Sequence, residues 1–185
     1  MEIKILKECG YEEALLGIGL SYNVADTVTE LELPAKLHQI SCSLYNKEGG
    51  HNKFLESMII WLDITAPRYL FAEIDTYRVG TSKQSESTMH TLLRKPFSQE
   101  MFQSPIPEIF IEELERVRIE KDFITLKNLL PEGFLQRRIW CLNYKVLRNI
   151  IFQRKNHRLT EWKIFCDYMI NNVQHKEYFD DLKYK

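Results

Sequence analysis

The chain has 185 residues, 44% of them hydrophobic and 28% charged, with a formal net charge of -1. That length suits one domain with a sizeable core, and the near-neutral balance offers no bulk attraction to nucleic acid or to an anionic membrane surface. No apolar run reaches the length of a membrane span, and Glu2, Lys4 and Lys7 interrupt the N-terminus where a secretion leader needs an unbroken apolar stretch.

The four cysteines, Cys9, Cys42, Cys141 and Cys166, stand far apart. No zinc-knuckle spacing results, and no metal-ligand set is expected. Reduced thiols in a cytoplasmic protein are the simplest reading, each a small buried hydrophobe. No sequence neighbour marks any of them as a stabilised thiolate.

Taken in order, Glu2 to Glu8 alternates loosely and reads as a strand, which Gly10 breaks. Tyr11 to Tyr22 has a helical pattern with Ala14, Leu15, Ile18 and Leu20 on one side, although Gly17 and Gly19 weaken it. Residues 27–33 are ambiguous. Pro34 suits a first helical turn, and Ala35 to Tyr45 carries Leu37, Ile40, Cys42 and Leu44. Gly49-Gly50 ends that helix or forms the turn after it. From Lys53 to Ile64 a helical start gives way to a strand near Met58 to Trp61. Pro67 opens a helix over Arg68 to Tyr77. Gly80 to Glu86 reads as a loop, and Lys95 to Pro107 as a loop or lid. Glu108 to Leu126 is a charge-patterned helix burying Phe110, Leu114 and Val117, and Leu129-Leu130-Pro131 stops it. Gly133 to Leu147 starts another element. Leu159 to Val173 is a final helix, apolar at Trp162, Phe165, Tyr168 and Met169. Residues 174–185 read as a charged, frayed tail on a single domain spanning 1–185. A sheet entry followed by mostly helix gives the α+β class.

The stretch from Gly49 to His90 draws the eye, because its second half is a hydroxyl-rich polar run that a core does not need. A ligand with phosphates or carbonyls could use it. Three segments covering roughly Ser41 to Met169 together resemble the flavin-dependent thymidylate synthases, which methylate dUMP to dTMP with FAD, methylenetetrahydrofolate and NADPH. In the first segment, Gly50, His51, Phe54, Leu55 and Glu56 occupy the family's Gly-His, apolar-pair and Glu positions, and Ser57 replaces its second His. In the second, Arg68 matches the Arg of a Ser-Arg pair, Glu73 stands where the family has Gln, and Thr76-Tyr77-Arg78 stands where it has Arg-His-Arg. The family serine downstream falls on Ser85 or Ser87, each one position off. In the third, Leu130-Pro131, Asn143, Leu147, Arg154 and Trp162 fit, and Lys127 stands at a phosphate-contacting Arg. Read without the family, Arg148, Arg154 and Arg158 equally suit a solvated helix face, and His51 suits a turn.

The resemblance implies an α+β fold with a mixed sheet wrapped by helices, assembled as a homotetramer with Tyr69 to Phe71 and the aromatic residues near Trp140 at the subunit interface. It implies FAD contacts from His51, Glu56, Arg78, Gly80 and Thr81, and pyrimidine nucleotide contacts from Glu73, Lys127, Asn143 and Arg154. Catalytic roles fall to Ser85 or Ser87 and to Arg154. NADPH and methylenetetrahydrofolate are the implied co-substrates. Thr76 and Tyr77 supply none of the charge that arginine gives a phosphate, Lys127 keeps charge but loses the planar fork, and Glu73 puts a carboxylate beside an anionic ligand. These departures leave two readings: a divergent enzyme of this type, with dUMP or a related nucleotide as substrate, or a fold that has lost flavin chemistry and binds a nucleotide or a partner. Lys83, Arg94 and Lys95 could replace the missing cations. An unrelated helical protein with chance similarity is the bland third reading.

Overall fold

The computed structural model describes residues 1–22, 35–47 and 49–183. The ambiguous stretch 27–33 and the expected helix start at Pro34 lie outside these. In chain order the elements are β1 (Glu2–Cys9), α1 (Tyr11–Ser21), α2 (Ala35–Leu44), β2 (Ile59–Pro67), α3 (Arg68–Ile74), β3 (Thr81–Ser85), α4 (Thr88–Thr91), α5 (Glu108–Ile119), α6 (Phe123–Leu129), β4 (Leu135–Asn143), α7 (Tyr144–Arg154) and α8 (Thr160–Asn172). Short 3-10 turns cover Lys53–Glu56, Gln99–Met101 and Lys176–Leu182. The strands pair in the order β1-β2-β4-β3, giving the α+β class with a mixed sheet and helices that was expected.

The described residues form two compact units, one from Met1–Lys4, Asp63–Arg78 and Lys83–Ile139 and one from Ile5–Leu62, Val79–Ser82 and Trp140–Lys185. The core of the first gathers Phe97, Phe102, Ile111, Leu114, Val117 and Leu126. In the second, α1 packs on α2, and α7 packs on α8 and on the terminal 3-10 turn; Leu15, Leu37, Leu147, Trp162 and Phe165 are fully buried there. Gly10 enters α1 at φ 88°, and a Cβ on it would collide with the Ser57 carbonyl. Only glycine satisfies both demands.

Several segments differ from the sequence reading. Gly80 to Glu86 is largely the strand β3 and not a loop. It lies at the sheet edge, where one paired side suffices and no apolar face is needed, and the Glu86 N–H continues the pairing to the Arg137 carbonyl at 2.8 Å. Glu108 to Leu126 is two helices. Lys121 at φ 59° turns the chain out of α5, and Asp122 caps α6 by accepting from the Thr125 N–H at 3.1 Å. The Lys95 to Pro107 segment is held down: Phe97 and Phe102 are buried, Phe102 bridges to Phe134, and the Gln99 side chain bonds both the N–H and the carbonyl of Ile106 at 3.1 and 2.6 Å.

The charged tail is not frayed over Lys176–Leu182. Tyr178 and Phe179 are fully buried, and Asp181 pairs with Arg148 at 2.8 Å. Arg148 therefore holds this turn down and is not a solvated helix residue. Leu70, Phe71 and Trp140, expected near a subunit interface, are each buried within this chain. Leu20, placed on the apolar side of its helix, is exposed. Of the cysteines only Cys166 is buried, with Cys9 exposed and Cys42 and Cys141 half-buried. Among the described residues no helix is long and apolar enough to cross a membrane.

Candidate functional site

The second unit opens a cleft of about 720 Å³. Its wall is drawn from one side of α1 from Glu13 to Ser21, Leu44 of α2, the Gly49-Gly50-His51 turn and the 3-10 turn as far as Ser57. Gly49 and Gly50 adopt φ of 71° and 88° with open space beside both, so this turn presents backbone and no side-chain bulk. His51 and Glu56 both line the cleft. The Glu56 carboxylate is already engaged, since Lys145 donates to it at 2.5 Å. Gly17 also lines the wall, and a Cβ on it would meet nothing within 4 Å. A glycine inside a helix lowers its stability by about 1 kcal/mol relative to alanine, and here it keeps the cleft wide. The donors available are the His51 ring, the Lys53 ammonium, the Ser21, Tyr22 and Ser57 hydroxyls and the turn's backbone; Glu13 adds a second carboxylate to that of Glu56. This lining suits an anionic group carried on a flat apolar body. A second cleft, of about 270 Å³, is lined by Glu8, Glu12 and Glu13, a wall that repels phosphate.

In the same unit, Gly80 packs onto Asn143. At φ 67° it has no room for a Cβ, which would come within 2.9 Å of both Asn143 Nδ2 and Val146 Cγ2. Asn143 Oδ1 accepts from the Val146 N–H at 2.9 Å and so caps α7. Thr81 begins β3 and is half-buried. Arg154, in the last turn of α7, places its guanidinium over the Trp162 ring at 5.1 Å, a cation–π contact. It is not among the residues lining the larger cleft.

The remaining expected residues belong to the first unit. Lys127 Nζ donates to Thr88 Oγ1 at 2.7 Å, and Ser87, the residue before Thr88, is exposed and stands at the N-cap of α4 without a side-chain cap bond. Ser85 is exposed at the end of β3. Glu73 is half-buried in α3, and its carbonyl accepts from the Thr76 hydroxyl at 2.6 Å. Arg78 is exposed. Lys83 donates to the Tyr77 carbonyl; burial lowers its ammonium pKa, and the Asp75 carboxylate opposes that shift. Arg138 pairs with Asp75 at 2.9 Å and lies over the Phe71 ring at 4.1 Å. Its Nε is buried with no partner among the described residues. Arg68 is used structurally, donating to the Leu130 carbonyl at 3.0 Å and pairing with Glu132 at 3.2 Å.

The structure thus groups His51 with Glu56, Gly80 with Asn143, and Lys127 with the Ser87-Thr88 corner. Gly17, Lys145 and Arg138 escaped the sequence reading. Gly17 was visible as an unexplained helix breaker, and Arg138 as a cation at the same parity as Gln136 and Trp140 on β4, the parity that is buried. Nothing local marked Lys145, whose partner lies 89 residues away. Among the described residues no cluster of His, Cys, Asp and Glu is arranged to hold a metal ion.

By sequence the chain matches no family profile and no curated protein. By structure it is similar to the flavin-dependent thymidylate synthase ThyX of Helicobacter pylori solved with FAD and dUMP, at a TM-score of 0.81 and 18% identity, covering 100% of both chains. A second structure of that Helicobacter pylori protein with FAD and dUMP gives 0.80 and 18%, covering 98% of this chain and 99% of the other. The UMP/dUMP methylase PolB of Streptomyces cacaoi, bound with 5-Br dUMP, gives 0.70 and 12%, covering 97% and 94%. At these identities the likeness establishes the fold.

Proposed function

We propose that this chain is a divergent flavin-dependent, thymidylate synthase-like enzyme that transfers a one-carbon unit to a pyrimidine deoxynucleotide, dUMP or a close relative. Whole-length likeness to structures holding FAD and dUMP carries the reading. The cleft lined by His51, Lys53 and the Gly49-Gly50 turn supports it, because its donors and open backbone fit the phosphates and flat ring of a dinucleotide. FAD would be held there by His51 and the turn, with Gly80 and Thr81 as further contacts; Arg78, the other expected contact, belongs to the first unit. The flavin supplies the hydride, and methylenetetrahydrofolate and NADPH supply carbon and reducing power.

What the chain's own groups do follows from their chemistry. Lys145 neutralises Glu56 at the cleft wall, which removes one repulsion against an anionic ligand. Lys127 fixes the Thr88 hydroxyl and with it the neighbouring Ser87, so Ser87 is the better candidate than Ser85 for the nucleotide contact. Lys127 contributes charge to the phosphate, and Asn143 and Arg154 contribute hydrogen bonds to the pyrimidine. Glu73 would have to turn its carboxylate away from an anionic substrate. A homotetramer sharing its sites between chains belongs to the same proposal.

The test is the visible spectrum of the purified protein, before and after adding FAD, followed by gel filtration. Flavin bands that travel with the protein, together with release of the C5 proton of dUMP in the presence of methylenetetrahydrofolate and NADPH, are the expected outcome. His51→Ala should lose most of the retained flavin. No retained flavin with excess FAD and dUMP overturns the reading. That result favours the alternative, a nucleotide- or partner-binding module on the same fold, to which Thr76 and Tyr77 in the places of Arg and His already point.

A further inference from the structure

The larger cleft is held from outside its lining by a group of aromatic rings. Leu44 and Phe54 line the cleft. Tyr45 follows Leu44, and its N–H bonds the Ser41 carbonyl at 3.0 Å as α2 ends. The Tyr178 ring meets Phe54 edge-on at 5.5 Å and lies 5.8 Å from the Tyr45 ring. Tyr178 and Phe179 are fully buried. Among these rings α7 places a cation. The Arg148 guanidinium stands 4.7 Å above the Tyr45 ring and 5.9 Å from the Phe179 ring. Its two terminal nitrogens reach the Asp181 carboxylate at 2.9 and 2.8 Å, and Nη1 also donates to the Tyr178 carbonyl. The side chain is only 12% exposed.

Such a cation is a poor source of stability, because a well-packed apolar side chain in place of a buried ion pair is often neutral or stabilising. What it supplies is direction. A guanidinium can lie flat on a ring while its fork holds a carboxylate, and neither methionine nor lysine does both. The ring that it fixes is tied to the turn. The Tyr45 carbonyl accepts from the Asn52 side chain at 3.4 Å. Asn52 follows His51 and stands at the N-cap of the 3-10 turn, where its carbonyl accepts from the Leu55 N–H at 3.1 Å. Two routes therefore lead from Arg148 to the His51 turn, one through Tyr45 to Asn52 and one through Tyr178 to Phe54. All of these residues belong to the second unit.

We propose that Arg148 is a positioning residue for the cleft: through the Tyr45 ring and the Tyr178 backbone it sets the place of the Gly49-Gly50-His51 turn. It is not among the residues that line the cleft, so it acts through others. Its effect on flavin rests on the reading that FAD binds in this cleft; its effect on the turn does not.

The experiment compares the full chain with Arg148→Met. Hydrogen–deuterium exchange of peptides spanning 49–57 is read without ligand, and the FAD Kd is read by flavin fluorescence. The internal control is α8, which packs on the same α7 and the same terminal 3-10 turn. Exchange over 49–57 should speed up by about tenfold, the weight of one desolvated cation–π contact, with α8 little changed, and the FAD Kd should rise by a similar factor. Tyr45→Phe keeps the ring and should match the wild type. Tyr45→Leu removes it and should match Arg148→Met, and in the double variant the two effects should not add. Exchange over 49–57 that stays unchanged, α8 loosening as much as the turn, or additive effects overturns the proposal. If Arg148→Met fails to fold by circular dichroism, the Tyr45 pair decides, and a Tyr45→Leu protein that exchanges like Tyr45→Phe overturns it. A wild-type protein that binds no FAD ends the flavin reading instead, and the exchange comparison still decides the role of Arg148.

Discussion

Gly17 and Asn143 show how one position can serve the fold and the cleft in opposite ways. Alanine at 17 meets no atom and gains helix propensity, so Gly17→Ala should raise the urea midpoint by the equivalent of about 0.5–1 kcal/mol. The same methyl lies against the cleft, and flavin retention should fall while stability rises. A variant that is more stable and binds FAD unchanged would remove Gly17 from the site. At Asn143 the roles separate by chemistry. Asn143→Ala loses the cap of α7 and should cost about 1 kcal/mol in denaturant melts, whereas Asn143→Asp keeps a capping oxygen and most of that stability. If Asn143 also contacts the pyrimidine, the aspartate variant should raise the KM for nucleotide without lowering the melt.

Elements with a strong apolar period were legible: the strand ending in Cys9, the helix burying Leu15 and Ile18, the Trp162 helix, and the change from 3-10 turn to strand near Met58. What failed lacked such a signal. The strand Thr81–Ser85 is wholly polar, so it carries no apolar alternation to read. The break between α5 and α6 rests on the backbone of Lys121, a residue that reads as an ordinary helix former. Lys121→Gly should relieve the left-handed geometry at φ 59° and stabilise the protein by about 0.5–1 kcal/mol, read as a higher thermal midpoint; a lower midpoint would mean that the lysine stem packs usefully. Of the candidate site, the Gly-Gly-His turn was legible because glycine pairs mark positive φ. The Lys145–Glu56 and Lys127–Thr88 contacts were not, because they join residues 89 and 39 positions apart.

At the scale of the whole molecule, pH acts through His175. Burial holds its pKa below the ordinary histidine value, against the pull of Glu177 and Glu8. The unfolded chain, titrating near about 6.5, binds the proton more readily than the folded one. Stability from this group is therefore complete above that value and drains away as the pH falls from about 6.5 toward the folded pKa. The thermal midpoint should drop between about pH 7 and 5.5, and His175→Gln should flatten the drop; a midpoint that rises on acidification would show that pairing with Glu177 outweighs burial.

Glu8 accepts from the backbone N–H of Gln174 at 3.0 Å, a bond spanning 166 positions. The unit that holds the cleft takes its residues from both flanks of the sequence. The 3-10 turn after His51 is therefore synthesised before α7 and Tyr178, against which it packs. The first unit's core segments, Leu92 to Leu130, are contiguous and can condense earlier. The cleft wall itself is local in sequence, but its support through Phe54–Tyr178 and Glu56–Lys145 is not, so completing it is expected to be a high-contact-order step.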